Sequence, residues 1–275
     1  MRERFSHPPI VGIIGGLGRM GQWFARHLSA AGGTVRIADQ RLGTVTRAFV
    51  AQSEVLLLAV PLSAIEGLLQ KIGPWTREDG VVVDITSLKE QPVRWMLDRC
   101  RGEVVGGHPL FGPTAESFQD QVVFLWPARS ELWYGRLRGF LEGCGARVTE
   151  MRPAEHDRLM ACVQVLRYLA LLCFGRALMR VDLDLDATLP ISGPWFQTLV
   201  DMLARQAGQS PAMYADLVLQ NPWTPQVIEA FTQSVVGIAQ ASKEGRADVL
   251  IREIQCLSSY LAGQDPKDPP RTVAQ

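Results

Sequence analysis

Gly16-Leu17-Gly18-Arg19-Met20-Gly21 lies between an apolar run, Val11-Gly12-Ile13-Ile14-Gly15, and an amphipathic run from Gln22 to Ala31. The order is strand, tight turn, helix, and it is the order that a dinucleotide's pyrophosphate requires. The first glycine permits the turn, the second lets backbone amides approach the phosphates, and the third lets helix and strand pack closely, while the helix N-terminus attracts negative charge. Arg19 and Met20 occupy the variable positions of the same loop. A second strand, Thr34-Val35-Arg36-Ile37-Ala38, ends in Asp39. That is about 20 residues beyond the glycines, where an acid accepts the adenosine ribose hydroxyls. Asp39, followed by Gln40, therefore favours NAD, whereas Arg41 can instead meet the 2′-phosphate of NADP. Val60 and Pro61, after a later strand, complete the expected cofactor set. The plainer alternative is a glycine-rich turn in an unrelated α/β domain.

At 275 residues the chain is long enough for two ordinary domains. Lys plus Arg and Asp plus Glu number 28 each, so there is no electrostatic footprint for nucleic acid or an anionic membrane. Five cysteines are scattered without a C-x-x-C pair or metal-ligand spacing. They read as reduced cysteines of a cytoplasmic protein, several of them buried as small hydrophobes, and no metal site is expected. Met1 to His7 lacks the apolar stretch of a signal peptide, and no run reaches the length expected of a membrane span.

From Val11 to about Thr149, short β-branched runs alternate with helical patterns, which predicts a Rossmann-type, parallel, doubly wound sheet over residues 1–152. Beyond Pro153 the strands give way to helical periods at Ala154–Arg180, Trp195–Ala207, Pro211–Leu219, Gln226–Lys243 and Ala247–Leu261. Residues 153–263 thus read as an all-α substrate and dimerisation domain, and residues 264–275 as a disordered tail. The Ala154–Arg180 helix is too apolar to face water on a wide side, which predicts that it is covered at a dimer centre or between domains.

Doubly wound sheets bind ligands beyond the carboxyl ends of their strands, so chemistry is sought there. Asp84 is followed by Ile85-Thr86-Ser87-Leu88-Lys89, and Gly107 by His108-Pro109-Leu110-Phe111-Gly112-Pro113. Of four histidines, His108 is the one placed at a strand end in a loop shaped by glycine and proline. It can act as a general base with a pKa near 6.5, or simply hydrogen-bond the loop. Ser87 can orient His108 or bind substrate, and Lys89 can neutralise an acid, although both also suit plain loop positions. His156, in Glu155-His156-Asp157, begins the long helix, where acids compensate the dipole and the histidine can be a bystander. Arg205 ends a helix, a favourable place for any cation.

Together these residues resemble the prephenate dehydrogenase family, over nearly the whole chain from Val11 to about Leu261. The marks are Gly-Leu-Gly-Arg-Met-Gly, Asp84 with Thr86-Ser87-Leu88-Lys89, His108-Pro109-Leu110-Phe111-Gly112-Pro113, Glu155-His156-Asp157, and Pro211-Ala212-Met213-Tyr214-Ala215-Asp216. The resemblance implies an NAD-dependent enzyme in which His108 is the base, Ser87 orients it and the substrate hydroxyl, Arg205 clamps the ring carboxylate and His156 stands near the substrate. It also implies a homodimer acting on a small molecule, without nucleic acid, membrane or metal. Tyr168 and Gln197 stand where enterobacterial members carry histidine and arginine, so two possible cations are neutral here. Only Met1 to Ile10 precede the glycine loop's strand, so no chorismate mutase segment is expected before it.

An altered substrate pocket suggests a relative of prephenate, and the closest is 4-amino-4-deoxyprephenate, whose ammonium a nearby cation would repel. Prephenate is the alternative, and arogenate a third. A β-hydroxyacid dehydrogenase would need a lysine on the Ala154–Arg180 helix, which has none. A non-catalytic, dinucleotide-responsive regulator would be expected to have lost His108, Ser87 or Arg205.

Overall fold

The structure is a computed structural model and describes residues 8–43 and 45–263. Seven strands form one sheet: β1 (Ile10–Ile14), β2 (Thr34–Ala38), β3 (Val55–Leu58), β4 (Val81–Asp84), β5 (Glu103–Pro109), β6 (Val122–Arg129) and β7 (Arg147–Thr149). Their order is β2-β1-β3-β4-β5-β6-β7. Helices α1 (Arg19–Ala30), α2 (Arg47–Ala51), α3 (Leu62–Ile72), α4 (Glu90–Arg99) and α5 (Trp133–Gly143) connect them.

β3, Val55-Leu56-Leu57-Leu58, is buried throughout, as a central strand covered on both faces must be. Alternation divides it: Val55 and Leu57 join Trp23, Phe24 and Leu28 of α1 and Phe140 and Leu141 of α5. Leu56 and Leu58 join Ile65, Leu69 and Ile72 of α3 and Val93 and Met96 of α4. Two cores thus clamp one sheet and hold the carboxyl ends of β1 to β5 along one edge.

The sheet departs from the expected all-parallel form, because β5 and β6 pair antiparallel, with His108 opposite Phe124. The connection between them holds no crossover helix, so the chain returns beside the strand it left. β5 also runs farther than the sequence suggests. His108 lies inside the strand and is buried, at 3% exposure, instead of standing in the loop beyond it. That loop is anchored to α1: Trp23 Nε1 donates to Ala115 O at 2.6 Å, and His27 Nε2 lies 3.0 Å from Glu116 O. Phe111 and Phe118 pack edge-on to Trp23.

At the glycine turn the left-handed residue is Gly15, with φ +81°, one place before the motif. A Cβ there would also lie 2.3 Å from Ala59 O, and one on Gly21 would lie 2.3 Å from Gly15 O. Gly15 therefore makes the turn, and Gly21 allows α1 to rest on it.

The second half contains α6 (Pro153–Met160), a π-helical turn (Ala161–Leu166), α7 (Arg167–Arg180), α8 (Leu185–Thr188), α9 (Pro194–Ala207), α10 (Pro211–Gln220), α11 (Thr224–Lys243) and α12 (Ala247–Leu261). The expected Ala154–Arg180 helix is thus interrupted by a wider turn. Contrary to the sequence reading, the stretch from Pro153 to Arg180 is long and apolar enough to cross a membrane, with mean hydropathy 1.5 over its most apolar part. Its first turns are nonetheless tied to the sheet by polar contacts described below. Leu159, Val163, Leu172 and Met179 along it are exposed.

The chain forms two compact units, Met1–Thr224 and Pro225–Gln275. In the first, Ser63 Oγ, at the start of α3, donates to Asp216 Oδ2 of α10 at 2.8 Å. The second holds α11 beyond Thr224 and all of α12, with Val235, Val236, Ile251, Ile254 and Leu257 exposed. The cysteines differ from expectation: Cys100 is buried, Cys144 half-buried, and Cys162, Cys173 and Cys256 are exposed in the single chain. The predicted tail at 264–275 lies outside the described residues.

Gly21→Ala is expected to lower the melting temperature by about 5 °C or more, equivalent to roughly 2 kcal/mol, because Gly15 O cannot yield without unmaking the turn. Thermal unfolding followed by circular dichroism checks this, and an unchanged midpoint would refute the close-packing account.

Candidate active site

Two groups of residues gather at the carboxyl end of the sheet. The first surrounds the glycine turn. α1 begins at Arg19 with Gly18 as its N-cap, no capping side chain and no acid in its first turn, so its amides point outward without an internal acceptor. A Cβ on Gly18 would meet only Gly15 O at 3.1 Å and Ala59 O at 3.9 Å, which leaves the outer side open for a ligand to approach the backbone. Gly16 is constrained from the other side, where a Cβ would lie 2.5 Å from Ile37 Cβ. Met20 is half-buried against the core beneath the turn. Val60 and Pro61 join β3 to α3, with Pro61 as that helix's N-cap.

Asp39 lies where β2 ends and binds this turn, its Oδ2 accepting from Leu17 N at 3.2 Å. Gln40 opens the short turn that follows. Arg41 folds back on Asp39 as a fork, Nε to Oδ1 at 2.9 Å and an Nη to Oδ2 at 3.3 Å. That fork, with backbone N–H groups, holds the Asp39 carboxyl down at about 2. Asp39 and Arg41 therefore present one neutralised pair, in place of the two competing groups that the sequence suggests. These groups fit a dinucleotide: open amides for phosphate, and a carboxylate beside the turn.

The second group is built on β5 and α6. His108 Nδ1 is 2.9 Å from His156 Nε2, and His156 Nδ1 is 2.8 Å from Asp157 Oδ1. All three residues are buried, His156 and Asp157 at 0% and 1% exposure. An ionised carboxylate only accepts, so His156 must carry its proton on Nδ1. With His156 accepting at Nε2, His108 donates from Nδ1, and the lone pair of His108 falls on Nε2. A directed chain results, with an unprotonated ring nitrogen at its open end. The Nε2 of Gln164, in the π turn, lies 3.3 Å from that lone pair. Burial, then His156, then the Lys89 ammonium hold the His108 pKa well below the ordinary imidazole value.

Asp157 is bound further. Its Oδ1 accepts from Lys89 N at 2.7 Å and its Oδ2 from Glu90 N at 2.9 Å, so it caps α4 and not its own helix. Glu155 compensates the start of α6, its carboxylate accepting from Arg152 N at 3.3 Å. His156 is accordingly no bystander.

Lys89 does not face a ligand. It is fully buried, its ammonium paired with Asp84 Oδ2 and donating to Gly107 O at 2.5 Å. The acid it neutralises is internal, because Asp84 ends a buried strand and needs a counter-charge there. Ser87, half-buried on the same loop, makes no side-chain hydrogen bond among the described residues, and the residue that holds His108 at Nδ1 is His156. Tyr168 stacks on Tyr214 with centroids 4.1 Å apart. Its carbonyl accepts from Gln206 Nε2 at 3.1 Å. Arg205 is exposed and makes no hydrogen bond or ion pair among the described residues. Gln197, two turns earlier and exposed, donates to Leu189 O and Ser192 O at 3.2 Å. Asp157 and Gln164 were not singled out from the sequence as site residues; adjacency to His156 was the available signal for Asp157, and none pointed to Gln164.

Two models of one family match the chain. The nucleotide-binding domain of prephenate dehydrogenase matches residues 27–150, and its dimerization domain matches residues 152–256. The chain belongs to the prephenate dehydrogenase family. A probable arogenate/prephenate dehydrogenase of Methanocaldococcus jannaschii is 30% identical over 252 residues, covering 85% of this chain and 56% of the relative. The chain thus spans little more than half of that relative's length. A 4-amino-4-deoxyprephenate dehydrogenase of Streptomyces pristinaespiralis is 27% identical over 251 residues, covering 85% of this chain and 84% of the relative. The fold resembles that of Aquifex aeolicus prephenate dehydrogenase, solved with hydroxyphenyl propionate and NAD+, at a TM-score of 0.72 and 22% identity over 94% of this chain and 99% of that one.

Asp157→Asn places an amide where two backbone N–H groups and an imidazole N–H converge, and an amide offers only one acceptor atom to them. The variant is expected to lose about 3 kcal/mol of folding free energy in urea denaturation. A loss below about 1 kcal/mol would show that Asp157 does not tie α6 to α4.

Proposed function

We propose that this chain catalyses NAD-dependent oxidative decarboxylation of a prephenate-type cyclohexadienyl acid. The observation that carries this reading is the buried His108, whose Nδ1 is engaged by His156, itself paired with Asp157, so that Nε2 is the nitrogen left to take a proton. When bound, NAD supplies the acceptor for the hydrogen and electron pair lost by the ring carbon. Gly18, the open first turn of α1 and Asp39 would hold it. His108 Nε2 takes the proton of the hydroxyl on that carbon, and the imidazolium is stabilised through His156 by the Asp157 carboxylate. Arg205, whose guanidinium is unengaged among the described residues, forks the ring carboxylate. Loss of that carboxylate as carbon dioxide returns an electron pair to the ring. His108 gives its proton back to the oxygen, so the ring becomes aromatic with no net proton released. Ser87 is close enough in sequence to the buried pair of Lys89 and Asp84 to be held on a rigid loop and bind the same hydroxyl.

Between substrates, the neutral Tyr168 and Gln197 favour 4-amino-4-deoxyprephenate, which would be converted to 4-aminophenylpyruvate. A cation at either place would repel the amine. The likeness to the Streptomyces enzyme points the same way. Prephenate giving 4-hydroxyphenylpyruvate is the second reading, favoured by the likeness to the Methanocaldococcus protein.

NADH formation with prephenate, arogenate and 4-amino-4-deoxyprephenate, each with NAD and NADP, tests the proposal. Turnover with NAD is expected, fastest on the amino compound. The neutral form of His108 is the active one, and its pKa lies well below 6.5. With prephenate, kcat/KM should therefore hold as pH falls through 6.5 and drop only at lower pH, as protons begin to occupy Nε2. This replaces the fall near 6.5 expected of an ordinary imidazole; an acid limb at 6.5 or above would remove His108 as the base. No turnover of any of the three would refute the assignment.

A homodimer is part of the same reading, supported by the match to a dimerization domain over residues 152–256 and by the exposed apolar residues of α7 and α12. Light scattering should give twice the 30.4 kDa chain mass. A monomer at micromolar concentration would defeat it.

A further inference from the structure

Taking His108 as the base, which rests on the function proposed above, we infer that Gln164 receives the substituent on the oxidised ring carbon and discriminates there between an amine and a hydroxyl. Two observations lead to it. Gln164 Nε2 lies 3.3 Å from His108 Nε2, the one ring nitrogen that His156 does not hold. Gln164 Oε1 is buried and has no hydrogen-bond partner among the described residues.

The proton-accepting nitrogen is thus capped from within by an amide N–H. A substrate proton reaches it by taking that amide's place, which leaves the carboxamide against the incoming group with its acceptor still unmet. A buried acceptor without a partner is costly, so a ligand that brings a second donor is rewarded. A hydroxyl has one proton, and it goes to His108. A neutral amine has two, one for His108 and one for Gln164 Oε1.

The backbone explains why this glutamine reaches the base. Eight α-helical residues separate two side chains by about 80° around the axis, so on a regular helix Gln164 would turn away from the face that presents His156. The π turn at Ala161–Leu166 is wider and brings both to His108. The charged and titratable groups around His108 are His156 and Asp157 on α6, Lys89 on the loop before α4, and Asp84 at the end of β4. Gln164 is neutral, so replacing it with methionine changes the donor pattern without adding a charge to this set.

Gln164→Met keeps length and removes the hydrogen bonds, and Gln164→Glu restores an acceptor. Imidazole NMR titration of the ligand-free protein should show the His108 pKa rising in Gln164→Met, since an N–H given to the neutral ring is lost. In that variant kcat/KM should fall about fivefold more for 4-amino-4-deoxyprephenate than for prephenate. Gln164→Glu should raise the amine-to-hydroxyl ratio above that of Gln164→Met. An unchanged titration with losses equal within about twofold on both substrates overturns the inference. If Gln164→Met fails to fold, Gln164→Glu decides against the wild type: an amine-to-hydroxyl ratio below the wild-type one overturns it, and a ratio at or above it supports it. Wild-type protein inactive on both substrates overturns the proposed function itself. That result is distinct from an active wild type whose discrimination does not move.

Discussion

The carboxylate of Asp157 is the joint on which this molecule turns. It accepts from two backbone amides at the start of α4 and from the imidazole of His156, and its own carbonyl accepts from Asn221 at 2.8 Å. One buried charge therefore fastens the helical region to the sheet, caps a sheet helix and sets the tautomer of a histidine pair. Burying a carboxylate is expensive unless every lone pair is used, and here the donors are supplied mostly by backbone. The same arrangement makes folding and protonation inseparable: the contact that docks α6 is the contact that leaves a lone pair on His108.

A second buried pair, Lys89 with Asp84, lies behind the first. Its ammonium faces the carbonyl of Gly107 and raises the cost of a second positive charge on His108. His108 is thus kept neutral by three things acting together: lack of water, a neighbouring imidazole and a fixed ammonium. None of them is at the surface, where salt would screen it.

Local pattern carried much of this in the sequence. Apolar runs such as Val81-Val82-Val83 could only be buried strands, and Asp39 at the end of a strand beyond a glycine turn had one obvious task. His108 and His156 were visible as separate residues, but their contact spans 48 positions and no local period encodes it. The antiparallel β6 was hidden because β-branched composition does not report direction. The π turn was hidden because Ala161 to Leu166 reads as ordinary helix, and with it went Gln164. Lys89 was misjudged because a lysine on a loop is ordinarily solvated, and only the completed fold shows that this loop closes over Asp84. The cysteines were misjudged for a related reason: apolar neighbours in sequence do not place a side chain on the inner face of a helix.

His108 sits on a strand whose ladder fixes its backbone opposite Phe124, whereas His156 and Gln164 sit on a helix that meets it from one side. A strand in the interior of a sheet tolerates almost no displacement, but a helix can change one side chain, or the width of one turn, and stay docked. The His108 imidazole is therefore the rigidly held part, and the surface opposite it is the adjustable part. In this chain, what faces His108 can be changed by editing the helix alone, leaving the sheet that places the imidazole untouched.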